Sequence, residues 1–72
     1  MADILKVADV KRIVKLIGYK GAVFALKESR KIRRQELIPI ARDLHIGEVH
    51  KLSKWRLAEA IISQIGEIYH LY

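Results

Sequence analysis

Two runs of cations are the residues of this chain whose types and spacing could do chemistry. Residues 27–34 read Lys-Glu-Ser-Arg-Lys-Ile-Arg-Arg, five bases and one acid, and Lys51, Lys54 and Arg56 follow around Ser53. The chemistry such runs perform is the capture of a polyanion, because each ammonium or guanidinium that neutralises a phosphate releases condensed counterions. Residues 27–56 hold nine basic and four acidic side chains, a local net of +5, whereas residues 57–72 carry only Glu59 and Glu67, a net of −2. The 72-residue chain as a whole carries +6. That balance points to nucleic acid or an anionic surface as the partner. Cations in the first turn of a helix oppose its macrodipole, at a cost of about 0.3 kcal/mol or more each. The N–H groups of that same turn favour an anion. With Ser53 as N-cap, Lys54 and Arg56 would face solvent there, and the hydroxyl, the N–H groups and the two cations would converge on one phosphate.

Catalytic and metal chemistry find no support. There is no cysteine, so no thiolate site and no disulfide. His45, His50 and His70 form no i, i+4 pair and have no paired carboxylates beside them, so no metal site is expected. Asp43 and Glu48 flank a connector without any acid–base pairing logic. No Gly-rich phosphate loop and no nucleophile motif occurs. The reading is a binding module, not an enzyme, without a cofactor. No apolar run approaches the roughly 18 residues of a membrane span, and the N-terminus lacks the pattern of a signal peptide. An intracellular location, in cytoplasm, nucleoid or nucleus, is therefore expected.

The elements that must position these cations are helical. Val10, Ile13, Val14 and Ile17 recur at i, i+3, i+4 and i+7. Asp9 precedes them as a cap, and Gly18 follows as a C-cap. The first helix is predicted at 7–17. A turn at 19–21 and a second helix at 22–29 follow, with Val23, Phe24 and Leu26 offered to the core. Leu37, Ile40, Ala41 and Leu44 mark a third helix. It should begin near Arg34 or Gln35, so that Pro39 falls near the first turn where its missing N–H costs little, and it should end around His45. Residues 46–52 read as an extended connector with Ile46, Val49 and Leu52 turned inward. Ser53 then caps a fourth helix whose buried stripe is Trp55, Ala58, Ile61, Ile62 and Ile65. Trp55 has a second use if exposed, since aromatic side chains stack on bases in single-strand binders. No strict alternation supports a strand.

The stretch from Arg33 to Ile65 resembles the helix–extension–helix motif of SAP domains and of the N-terminal domain of the transcription-termination factor Rho. The first helix of that motif has the form x-x-E-L-x-x-x-A-x-x-L, met here by Glu36, Leu37, Ala41 and Leu44. The second opens K-L-x-K-x-x-L-x-x-A-I, met by Lys51, Leu52, Lys54, Leu57, Ala60 and Ile61. His45 stands where the pattern carries glycine, and Pro39 is unusual within its first helix. The resemblance covers about half the chain. It implies nucleic-acid binding by the bases before the first helix and at the start of the second, which here are Arg33 and Arg34, then Lys51, Lys54 and Arg56.

The expected fold is all-α, a single domain over 1–72. It would be a small bundle of about four helices: an N-terminal pair (1–30), a SAP-like helix–extension–helix unit (31–67) and an apolar tail (68–72). The expected function is nucleic-acid binding, DNA favoured over RNA, within a larger protein or complex. Arg30, Lys31, Arg33, Arg34, Lys51, Ser53, Lys54 and Arg56 would hold the phosphate backbone. The alternative is a protein-interaction or homodimerisation module with an acidic partner, docking through the tail, Trp55 and exposed aliphatics such as Ile38. One further pattern is an internal echo. Val10, Ile13, Val14, Ile17 and Tyr19 align at a constant offset with Leu37, Ile40, Ala41, Leu44 and Ile46. Either the chain is a diverged tandem of two helix–extension–helix halves, or the echo is what any two amphipathic helices show.

Overall fold

A computed structural model describes residues 5–69, and these form three α-helices, a short 3₁₀ turn and no strand. Helix α1 spans Val7–Glu28 and α2 spans Arg34–Asp43. The 3₁₀ turn covers Val49–Lys51, and α3 covers Lys54–Tyr69. The described residues are thus all-helical, with three helices where four were expected, because the first two predicted helices are one bent element.

The spacing of buried residues explains the bend. Val10, Val14, Ala22 and Leu26 are the buried residues of α1. They lie four apart, and Gly18 occupies the missing position. A straight helix turns about 100° per residue, so a stripe of every fourth residue drifts by about 40° per step. From Val10 to Leu26 the drift would reach about 160°, placing Leu26 on the face opposite Val10. Gly18 interrupts that drift with φ 79° and ψ −179°, a region in essence open only to glycine. The helix resumes at once, so the predicted turn at 19–21 is helical. The rephasing turns Ile17 and Phe24 outward, 53% and 62% exposed, although both were expected in the core. At the start of α1, Asp9 sits in the first turn and accepts a 3.0 Å hydrogen bond from the Lys6 N–H. Its carboxylate therefore caps from inside the helix.

In α2 the predicted face holds, with Leu37, Ile40, Ala41 and Leu44 all buried. Ile38, expected exposed, is half-buried against the core. Because α2 begins at Arg34, Pro39 is its sixth residue and falls in the second turn, not the first. The Gln35 carbonyl loses its helical donor there, and Gln35 and Pro39 are both exposed. The helix stops sharply. The Ile46 N–H donates to the Ala41 carbonyl at 2.9 Å and the His45 N–H to the Arg42 carbonyl at 3.0 Å. This pair of bonds is a Schellman stop, whose pivot takes the left-handed conformation. The pivot is His45, at φ 61°.

Glu48, also left-handed (φ 54°, ψ 35°), leads into the 3₁₀ turn. Val49 is buried while Ile46 and Leu52 are half-buried, so all three connector aliphatics face inward as expected. The Ser53 carbonyl accepts from the Leu57 N–H at 2.8 Å and α3 begins. Its buried face is Leu57, Ala58, Ile61, Ile62, Ile65 and Gly66. The helix passes Gly66 and reaches Tyr69, so Ile68 and Tyr69 are helical and not part of a tail. The rest of the expected tail, His70, Leu71 and Tyr72, lies outside the described residues.

Helix α3 packs against both other helices. It runs antiparallel to α1. The Lys54 ammonium at its start reaches the Ser29 carbonyl just past the end of α1, and at its other end Lys11 lies 4.2 Å from the Tyr69 ring centre. Residues 8–28 contain nothing like the nine residues from His45 to Ser53, so the chain is not two copies of a helix–extension–helix unit.

Candidate nucleic-acid interface

The connector between α2 and α3 is held by one guanidinium. Arg34 donates through Nε to the Leu52 carbonyl at 2.7 Å, and through Nη2 to the carbonyls of His50 at 2.8 Å and Val49 at 3.3 Å. Carbonyls in a connector have no ladder partners, so an arginine fork that satisfies three of them fixes the path of the turn. Arg34 is half-buried, and these donors are committed to the fold.

A second cation performs the matching task on the other side. Lys54 Nζ donates to the Ser29 carbonyl at 2.7 Å and is half-buried, so it does not face solvent as expected. It ties the first turn of α3 to the α1–α2 connection, within the basic run of residues 27–34. Arg34 and Lys54 thus cross-link the two cationic stretches in both directions, each reaching from one stretch to the backbone of the other.

The remaining cations stay outside. Arg30, Lys31, Arg33, Lys51 and Arg56 are exposed. Lys51 pairs with Glu48 at 3.8 Å, with about three quarters of each side chain exposed, and a surface pair of this kind is worth little. Ser53 is the N-cap: its Oγ accepts the Arg56 N–H at 3.3 Å. No carboxylate lies in the first turn of α3, so nothing offsets the positive end of its macrodipole there.

Two residues of this face, Arg42 and Lys27, were not placed in the site by sequence reasoning, and a third, Trp55, was weighed for base stacking but expected in the buried stripe. Arg42 reaches across the connector, with Nη2 3.3 Å from Nε2 of His50. Arginine only donates, so in a hydrogen bond between the two the His50 nitrogen is the acceptor. The signal was available, since Arg42 lies eight residues after Arg34 on one helix. Lys27 was counted in the basic run but not placed in the site. Its ammonium lies 5.6 Å from the Trp55 ring centre, while the Arg56 guanidinium lies 5.1 Å from it. Trp55 itself was expected in the buried stripe and is 46% exposed. Its direction along α3 matches that of Ile62, but the first turn of α3 meets the last turn of α1, where the indole finds Lys27.

No three His, Asp or Glu side chains gather as a metal site among the described residues. No helix among them is long and apolar enough to cross a membrane. No family model matches the chain, and no curated protein or solved structure matches it either.

Proposed function

We propose that this chain is a nucleic-acid-binding module, DNA favoured over RNA, that grips the phosphate backbone and works within a larger protein or complex. Arg30, Lys31, Arg33, Lys51 and Arg56 make the phosphate contacts. Arg34, Lys54 and Ser53 shape the surface beneath them and add their positive field and cap geometry. One observation carries the reading: the bonds of Arg34 to the Leu52 and His50 carbonyls, and of Lys54 to the Ser29 carbonyl, draw two cationic stretches far apart in sequence beside one helix N-terminus. The likeness to SAP and Rho N-terminal motifs supports it as well. The position that carries glycine in those motifs is here the left-handed His45.

Contacts to phosphate position a protein without specifying sequence, so sequence preference is weak. With five exposed cations at work, the logarithm of the association constant falls against the logarithm of salt with a slope of about −4 to −5. Anisotropy of a labelled duplex across a salt series measures this, and a flat response removes the reading. Reversing charge at Arg33 and Arg56 together weakens binding without unfolding the chain. Reversing Lys11 and Lys15 does much less. Equal losses from both pairs would mean diffuse attraction and no defined site.

A second reading, a protein-interaction or dimerisation module with an acidic partner, draws on Leu16, Ile17 and Phe24. These are 75%, 53% and 62% exposed along α1. Sedimentation at rising concentration tests it: a dimer that excludes DNA favours this reading over the first.

A further inference from the structure

We infer that the face between the second half of α1 and the first half of α3 takes an unpaired nucleobase, stacked on Trp55. Single strands, or duplexes with flipped or frayed bases, are then the preferred form of the partner. The inference rests on the nucleic-acid reading above and narrows it.

Trp55 is the chain's one tryptophan. Its exposure is out of keeping with a core whose other α3 stripe residues, Ala58, Ile61, Ile62 and Ile65, are sealed from solvent. The indole is flanked by Lys27 and Arg56. An exposed cation–π contact is worth about a two- to fivefold factor in an equilibrium. A base stacked on an aromatic side chain is worth roughly 5- to 100-fold. A base therefore displaces either cation from the ring, and the displaced cation is left beside the phosphates that flank that base. A paired base has its faces covered by its neighbours and cannot make this exchange.

The surroundings have the shape and chemistry for a base. Two surface hollows adjoin the indole's flanking cations. One, of about 320 Å³, is lined by Tyr19, Lys20, Val23, Phe24, Lys27 and Glu59. The other, of about 360 Å³, is lined by Tyr19, Leu52, Arg56, Glu59, Ala60 and Ser63. Both volumes lie within the range of about 300–1,000 Å³ typical of small-ligand clefts. They share Tyr19 and Glu59, so the two hollows adjoin each other, and Trp55 stands beside them through its contacts with Lys27 and Arg56. Glu59 lies one helical turn beyond Trp55. A carboxylate there repels phosphate but accepts a hydrogen bond from an exocyclic amine, as carboxylates do from N4 of cytosine. The face accordingly favours cytosine over thymine.

Because Trp55 is unique, its emission reports on the site directly. The full chain is titrated with oligo-dC, with oligo-dT and with a dC·dG duplex of equal length, following tryptophan emission and the anisotropy of labelled strands together. Oligo-dC quenches the emission and binds about fivefold more tightly than oligo-dT. Trp55→Ala weakens single-strand binding by roughly 5- to 100-fold and leaves duplex affinity unchanged. Trp55→Phe keeps most of the single-strand affinity, and Glu59→Gln removes the preference for dC over dT. Helicity measured by circular dichroism confirms that each variant folds. Single-strand binding with unmoved emission would overturn the inference, as would equal losses of single-strand and duplex affinity in Trp55→Ala. If salt-dependent duplex binding persists in that case, the backbone reading survives and only the stacking site falls. If no oligonucleotide binds at all, both fall together.

Discussion

Among the places where the described residues leave their helical path, Gly18 and the segment from Leu44 to Ser53 do so in opposite ways. At Gly18 one residue at φ 79° bends the helix, and helical structure continues from Tyr19. At Leu44 a Schellman pair of bonds ends α2, and nine residues pass before α3 begins. The first is a phase correction inside one element. The second is a true connector, closed by a left-handed pivot at His45 and held by the Arg34 fork. A glycine alone bends α1, whereas α2 and α3 are separated by a hydrogen-bonded stop plus a side chain that satisfies the connector's carbonyls.

The largest effect is expected in the core that both regions serve. Ile61→Ala removes a fully buried side chain of α3 and should cost about 3–4 kcal/mol in denaturant unfolding. Leu16→Ala, on the exposed side of α1, should cost under about 0.5 kcal/mol. Next, Arg34→Met should cost about 2–3 kcal/mol, since three connector carbonyls lose a charged donor. Hydrogen exchange in Arg34→Met should rise first at residues 49–53, and loss spread evenly over all three helices would mean the fork does not hold the connector in particular. Gly18→Ala should cost about 1–3 kcal/mol, because alanine cannot hold that backbone without strain. An unchanged stability would mean that α1 can straighten and rebury its stripe at no cost. Smallest, and of opposite sign, His45→Gly should stabilise by about 0.5–1 kcal/mol by relieving the left-handed pivot. A loss of stability there would show that the His45 side chain makes a contribution larger than its strain.

Sequence reading succeeded where an apolar period of 3.6 runs unbroken against one neighbour. Leu37, Ile40, Ala41 and Leu44 were placed correctly, as were the inward turns of Ile46, Val49 and Leu52. It failed where periodicity has to be carried across a change of phase. Ile17 and Phe24 fit the pattern of a straight helix or of two separate ones, but α1 is neither. It failed again at Trp55, because helical spacing gives a direction and not the length of the neighbour that must cover it. Of the candidate site, the two cationic runs were visible as composition. That Arg34 and Lys54 would be drawn into the backbone, leaving Arg30, Lys31, Arg33, Lys51 and Arg56 as the outward set, was not. Hydrogen bonds between a side chain and a distant carbonyl depend on the path of the chain and leave no periodic trace.

The every-fourth-residue stripe of α1 has one more consequence. Because each buried position is timed against a single backbone break, removing or adding one residue between Val10 and Leu26 would swing everything beyond it by about 100°. Changes of side chain can accumulate along this segment, but changes of length cannot. Its measure is set as strictly as the teeth of a gear.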